Sequence, residues 1–252
     1  MNTVNIPEDY RPAPHLLADR VILVTGAGDG IGRAVSLAFA AHGATVVLLG
    51  RTIAKLEDVY DRIKQAGGPE PAIYPMDLEG AVPDDHAELA ERIDGELGRL
   101  DGLLHNAAQL GTLTPIEHYD PGTWLRVLQV NLNAPFLLTR ACLPLLRRAD
   151  DASVLFTSSS VGRRGRAYWG AYAVSKFGVE GLTQILADEL EANSSVRVNS
   201  INPGAVRTGM RAAAYPAEDP AALITPEDIV LPYLYLMGPD SRDVRGQALD
   251  AQ

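Results

Sequence analysis

The sequence predicts an α/β fold, a single doubly wound domain whose parallel sheet of about seven strands carries helices on both faces. Three observations lead there. Short apolar runs alternate with segments of helical periodicity from Val21 to Leu249. The first run ends in a glycine-rich turn that opens straight into a helix. No linker, low-complexity stretch or internal repeat interrupts the alternation, so residues 1–252 are expected to form one unit.

Composition narrows what such a domain does. Hydrophobic residues make up 46% and charged residues 21%, enough to bury a sizeable core in water. The net charge of -10 opposes any general attraction to nucleic acid or to an anionic membrane. Cys142 is the one cysteine, so no intrachain disulfide forms; between Ala141 and Leu143 it reads as core packing. The first residues lack a basic-then-apolar leader pattern and no apolar run reaches the length of a membrane span. A cytoplasmic location is the expectation.

In order, residues 1–14 carry Pro7, Pro12 and Pro14 and are expected to form an extended N-terminal arm. Val21-Ile22-Leu23-Val24 is a buried parallel strand that ends in Thr25-Gly26. Gly26, Gly28, Gly30 and Gly32 follow, with Asp29 and Ile31 between them, and a helix runs from Ile31 to Ala41. Glycines alone make a turn; between a buried strand and a helix they let backbone approach a pyrophosphate at the positive end of the helix dipole. That is a Rossmann-like unit. The second strand, Ala44 to Leu49, ends in Gly50-Arg51, where a free ribose hydroxyl would call for an acid. Arg51 instead suits a 2′-phosphate and favours NADP(H), with NAD(H) possible; the bland reading is a solvated arginine before the helix Ile53 to Gln65. Asp29 stands against the phosphate as a repelling charge.

The third strand, Ile73 to Met76, ends at Asp77, an acceptor for an adenine amino group. Helix Asp84 to Leu97 and strand Gly102 to His105 lead to Asn106-Ala107-Ala108 at a strand's carboxyl end, where open parallel sheets bind ligands. A long helix is expected from Pro121 to Arg148, with Asn131 in its interior as a structural hydrogen bonder or a site residue. Strand Val154 to Thr157 precedes Ser158-Ser159-Ser160, and a helix runs to Glu191. Strand Val196 to Ile201 leads into Asn202-Pro203-Gly204. Residues 205–225, rich in alanine and proline, read as a mobile substrate lid. Helix Pro226 to Met237 and a strand around Gln247 to Leu249 complete the order.

Tyr172 and Lys176 lie four apart, hence one turn apart on a single helical face. Alone, such a pair is ordinary helix surface. Together they form a proton-transfer pair in which the ammonium favours phenolate and lowers a tyrosine pKa of about 10. Ser159, upstream at a strand end, can reach the same reacting atom.

These blocks carry a resemblance to the short-chain dehydrogenase/reductase family from about Arg20 to Leu249, in the order and spacing of that family. They are Thr25-Gly26-Ala27-Gly28-Asp29-Gly30-Ile31-Gly32, Asn106-Ala107-Ala108, Asn131, Ser159, Tyr172, Lys176 and Pro203-Gly204 through Thr208. Residues 156–176 and 207–219 look most like the bacterial YciK-type oxidoreductases. Ala108 stands where the family has a glycine, and Leu249-Asp250-Ala251-Gln252 replaces the common Asp-Gly-Gly end. The resemblance implies that Tyr172 is the general acid and base, Ser159 binds the substrate oxygen, and Lys176 tunes Tyr172 and binds the nicotinamide ribose. It further implies that Asn131 holds a water relaying protons to Lys176, and that Val206 and Thr208 contact the nicotinamide amide. No metal is implied. A homodimer or homotetramer is, through the helices carrying Asn131 and Tyr172.

The expected substrate is a small carbonyl or alcohol. A 3-oxoacyl-carrier-protein reductase is the narrower enzyme alternative, although its acidic partner would call for a basic docking patch. A cofactor-binding sensor or scaffold is the alternative of another class, and the Asn131, Ser159, Tyr172 and Lys176 set argues against it. Arg163, Arg164 and Arg166 read either as surface or subunit contacts or as a partner for a substrate carboxylate or phosphate. Gln109, Leu110, Trp169 and Met210 are expected to line the pocket.

Overall fold

Seven strands, Val21–Thr25 (β1), Thr45–Gly50 (β2), Ala72–Pro75 (β3), Gly102–His105 (β4), Ser153–Thr157 (β5), Arg197–Asn202 (β6) and Ala248–Asp250 (β7), form one sheet in the order β3-β2-β1-β4-β5-β6-β7. Every pairing is parallel, with Leu23 opposite Val47 and Leu103, and Val154 opposite Leu103 and Val198. This is a computed structural model, and it describes residues 6 and 9–252.

The strands are nearly continuous apolar runs because both faces of the sheet are covered. Alternation divides them. Val24, Val46, Leu48, Leu104, Leu155 and Ile201 face the helices Gly30–Ala41 (α1) and Ile53–Gln65 (α2) and the C-terminal helix Val230–Met237. Leu23, Val47, Leu49, Leu103, Val154, Phe156 and Val198 face the opposite layer. That layer holds Pro83–Leu97 (α3), Pro121–Leu128 (α4), Ala134–Leu146 (α5) and Gly170–Glu191 (α6). Gly209–Ala214 (α7) lies beyond the carboxyl end of β6, and Val230–Met237 (α8) returns beneath β5.

The expected helix Pro121 to Arg148 is not continuous. A π turn, Gln129–Asn133, separates α4 from α5, and Asn131 sits inside it. Pro135 gives the reason. In an α-helix its N–H would bond the Asn131 carbonyl four residues back, and proline has none. The lid residues 205–225 are likewise more ordered than a flap. They contain α7, and a parallel bridge between Val206 and Ile224 closes their base. Helix Pro226 to Met237 is a 3₁₀ turn, Pro226–Ile229, followed by α8, and the last strand lies one residue later than expected.

Part of the N-terminal arm falls outside the described residues. Of the rest, Ile6 and Tyr10 pack against the core, and Tyr10 meets the Tyr235 ring edge-on at 5.0 Å while its hydroxyl donates to Asp240 at 2.9 Å. Cys142 is fully buried, and burial pushes its thiol up to about 12, which leaves it an inert core residue.

The chain runs outward from β1 to β3, then crosses back to β4 beside β1. A crevice opens outside the carboxyl ends of these two strands, the switch point of the topology.

Candidate active site

The crevice measures about 580 Å³ and reaches from Arg51 and Asp77 at one end to Tyr172 and Tyr215 at the other. Its walls are set by the turn after β1. Gly26 takes φ +68°, and a Cβ there would meet the Ala107 backbone at 3.0 Å. A Cβ on Gly32 would lie 2.0 Å from the Gly26 carbonyl oxygen, so α1 can start against this turn only as glycine. Thr25 pins the two strand ends together. Its Oγ1 accepts from the Asn106 and Ala107 N–H groups at 2.9 and 3.0 Å, while Asn106 Nδ2 donates to the Thr25 carbonyl at 3.3 Å.

Of the residues expected to bind cofactor, Gly26, Gly28, Asp29, Gly30, Ile31, Arg51, Asp77, Asn106, Tyr172, Lys176, Pro203, Gly204, Val206 and Thr208 line the crevice. Thr25 and Gly32 are buried behind the turn and shape it without facing the cavity. Asn131 also stands behind the wall.

Asp29 does not act as the free repelling charge expected of it. Its Oδ1 caps α1 by accepting from the Gly30 N–H at 2.7 Å, and Oδ2 is paired with Lys55 Nζ. That hydrogen bond holds the Asp29 carboxyl below its ordinary range. Lys55 and Asp29 thus enter the wall of the crevice as an ion pair, on the same wall as the exposed Arg51.

At the other end three elements converge. Ser159 follows β5, and Tyr172 and Lys176 come from the first turns of α6. The Ser159 hydroxyl stands against the Tyr172 phenol. Lys176 Nζ lies 5.6 Å from the centre of the Tyr172 ring and donates to the Thr157 carbonyl at 2.6 Å. Burial decides both pKa values. It pushes Tyr172 up to about 12, with Ser159 opposing, and Lys176 down to about 8, with Glu180 opposing. Proximity of the ammonium therefore does not lower the phenol as the spacing alone suggested; desolvation wins.

The Asn131 side chain is largely engaged. Its Oδ1 accepts from the Gln109 N–H at 2.7 Å, and Nδ2 donates to the Gln109 carbonyl at 2.9 Å and to Ser175 Oγ at 3.0 Å. One acceptor position of the amide is left, together with the carbonyl that Pro135 leaves without its helical donor.

Leu110, Trp169 and Met210 pack beside Tyr172 and make the far wall apolar. The lid closes over them through two residues that the sequence did not single out. Arg211 pairs in a two-pronged contact with Glu218, both bonds at 2.6 Å, and lies 3.8 Å over the Tyr215 ring. Tyr215 stands 6.0 Å from Trp169, and its hydroxyl accepts from Arg166 at 2.6 Å. Of the three basic residues before α6, Arg166 is therefore a lid contact and Arg164 is exposed. Arg163 points away from the crevice, to Glu180 and the C-terminal strand. Among the described residues no group of three or more His, Cys, Asp or Glu could hold a metal ion, and no helix is long and apolar enough to cross a membrane.

Residues 20–219 match the family model described as short chain dehydrogenase. The chain is 52% identical over 243 residues to the uncharacterized oxidoreductase YciK of Escherichia coli (strain K12), covering 96% of each protein. Among solved structures, a protein described as a short chain dehydrogenase of Pseudomonas syringae superposes with a TM-score of 0.95 at 61% identity, over 97% of this chain and 99% of that one. Another so described, from Escherichia coli CFT073 in complex with NADPH, gives a TM-score of 0.93 at 53% identity, over 96% and 100% of the two chains.

Proposed function

The chain belongs to the short chain dehydrogenase family, and from that premise we propose that it is an NADP(H)-dependent oxidoreductase interconverting a carbonyl and a secondary alcohol, with Tyr172 as general acid and base. The observation that carries this reading is the meeting of Tyr172, Ser159 and Lys176 at one end of a crevice whose other end holds Arg51 and Lys55. The crevice fits the dinucleotide on its own geometry. Gly26 and Gly30 take positive φ and leave bare backbone beside the α1 N-terminus, where a pyrophosphate is favoured. Arg51 at the far end suits a 2′-phosphate, and the relative from Escherichia coli CFT073 is seen with NADPH.

Bound there, the nicotinamide supplies or takes the hydride. The chain's own residues handle the proton. Because burial holds the Tyr172 phenol at about 12, it enters a reduction protonated at neutral pH and gives that proton to the substrate oxygen. Ser159 donates a hydrogen bond to the same oxygen as charge develops there. Lys176 offsets the phenolate left behind and would hold the nicotinamide ribose hydroxyls. Ser175 ties Asn131 to the turn bearing Lys176, and the remaining acceptor position of the Asn131 amide suits a water that returns the proton from solvent. Val206 and Thr208 would face the nicotinamide amide.

A cofactor sensor would have no use for a buried phenol set between Ser159 and Lys176, which favours turnover over binding alone. The apolar wall of Leu110, Trp169 and Met210 suits a small carbonyl compound with an apolar body. Exposed Leu125, Phe136, Val174, Phe177 and Ile185 on α4, α5 and α6 make an apolar face suited to a second copy of the chain. One domain carries the whole site, in a reducing cytoplasm.

An NADPH oxidation screen over ketones, aldehydes and acyl thioesters tests the reading, with Tyr172→Phe as the blank. Turnover of none of the three classes would count against it, and turnover confined to acyl thioesters would favour the narrower 3-oxoacyl-carrier-protein reductase. Arg51→Ala is expected to weaken NADPH by about tenfold to a hundredfold, the value of charge-assisted hydrogen bonds to one phosphate, and to leave NADH little changed. Equal losses for the two cofactors in a fluorescence titration would remove the 2′-phosphate argument.

A further inference from the structure

Glu180 is a carboxylate where a helix has little reason to bury one. It sits one turn beyond Lys176 and two beyond Tyr172, on the same stripe of α6, and is 5% exposed. Glutamate is almost never buried unless paired. Its partners lie outside the reaction described above: Ser200 Oγ donates to Oε2 at 2.7 Å, and Arg163 Nε donates to Oε1 at 3.2 Å. Arg163 goes on to the end of the chain, donating to Asp250 Oδ1 at 2.9 Å and to the Leu249 carbonyl at 2.8 Å. Asn202 Nδ2 donates to the same Asp250 oxygen at 2.8 Å. Charges therefore alternate along one path, from Lys176 through Glu180 and Arg163 to Asp250 on the edge strand β7.

The path is rigid at its middle. A Cβ on Gly162 would meet Lys176 Cβ at 2.8 Å and its backbone at 2.9 Å, so the turn that carries Arg163 is packed directly on the lysine. The groups facing Lys176 are Tyr172 and Glu180 from α6, His105 from β4 and the Thr157 carbonyl from β5, and Arg163 bonds the Glu180 carboxylate from that turn. His105 is neutral, its imidazole pushed down to about 3 by burial. Among these groups Glu180 is the only carboxylate.

We propose that Glu180 is a positioning residue for Lys176: its carboxylate keeps the buried lysine charged, and Arg163, anchored on β7, limits how much of that negative charge the lysine feels. The proposal rests on the reading of Lys176 as part of the catalytic set. Its direction follows from electrostatics alone. Burial takes Lys176 down to about 8 and Glu180 is the group that opposes the fall. Lys176 is thus charged below that value and loses its charge as pH rises through it. Without the carboxylate the loss comes at lower pH. Without Arg163 the carboxylate acts unshared, and the loss comes at higher pH.

Only three lysines occur in the chain, Lys55, Lys64 and Lys176, so the Cε chemical shifts of isotope-labelled lysine follow Lys176 directly through a pH titration. Glu180→Gln keeps the shape and an acceptor for Ser200 but removes the charge; Arg163→Gln removes the competing cation. The expected result is a Lys176 midpoint displaced downward in Glu180→Gln and upward in Arg163→Gln, each by about one unit, as for removal of a charge close by. No displacement, or displacement of both in one direction as general loosening would cause, overturns the proposal. Should Glu180→Gln fail to fold, Arg163→Gln is read beside Arg163→Lys, which keeps the cation and loses the fork: an upward shift in the first alone supports the proposal, and a shift in both or in neither overturns it. The high-pH limb of the carbonyl reduction rate is expected to move with each midpoint; a limb that stays put while the midpoint moves also overturns it. The titration needs no turnover, so a chain that reduced no carbonyl would refute the reductase reading and leave this test intact.

Discussion

Tyr172→Phe is expected to lower the rate of carbonyl reduction by about a hundredfold to ten-thousandfold, the range for removing a positioned general acid, while NADPH affinity stays close to that of the wild type. The substitution removes one oxygen and keeps the ring. Phenylalanine would retain the packing against Val161, Ala173 and Trp169, whose ring centre lies 5.7 Å away, and the face that Lys176 Nζ overlooks at 5.6 Å. What goes is the proton donor nearest the Ser159 hydroxyl. Lys176 cannot substitute, because its ammonium is turned to the Thr157 carbonyl at 2.6 Å. Single-turnover NADPH oxidation and a fluorescence titration of the same preparation separate chemistry from binding. A rate within about tenfold of the wild type would withdraw the acid role, since even a modest general acid supplies more than that.

How much of this could be read beforehand depends on what a local pattern encodes. Period and burial are local, so the alternation of apolar runs and helices yielded the sheet, and the glycines after β1 yielded the crevice. Tyr172, Lys176 and Ser159 were legible for the same reason, since each hangs on a strand end or a helical face whose direction the pattern specifies. Partners drawn from distant segments were not. Nothing near Asp29 says that Lys55 will neutralise it, and nothing near Arg163 says that it will turn toward Glu180 and Asp250 instead of the substrate. Spacing reveals the charge beside Tyr172 but not the desolvation that sets the direction of its shift. The π turn is an intermediate case. Pro135, four residues after Asn131, carried the signal in the sequence, yet periodicity alone read straight through it.

Asp151→Ala is expected to cost about 3–5 kcal/mol of stability at neutral pH, because it strands a buried charge. The amino ends of the strands, opposite the crevice, are held by a polar cluster built on this residue. Arg197 is fully buried at the start of β6 and donates to Asp151 Oδ1 at 3.0 Å, its other donors going to Leu236, Gly238 and Ser241. Arg20 donates to Asp151 Oδ2 at 2.5 Å. Remove the carboxylate and Arg197 keeps its neutral acceptors but loses the one anion bonded to it. In a chain of this size the loss corresponds to a fall in melting temperature of about 6–20 °C. The acid limb gives a sharper check. Burial would raise the Asp151 carboxyl, but the charges and hydrogen bonds of Arg197 and Arg20 outweigh it and hold the carboxyl below its ordinary range. Its contribution is therefore complete above the unfolded-state value of about 3.9 and fades as pH falls through the lower folded-state value. Urea unfolding should accordingly show a wide gap between wild type and Asp151→Ala at neutral pH that closes progressively below about pH 4. Catalysis by the folded variant at low temperature should be close to normal, because the crevice lies at the other end of every strand. A gap that persists unchanged into acid would mean that packing around Arg197, and not the ion pair, holds this edge of the sheet.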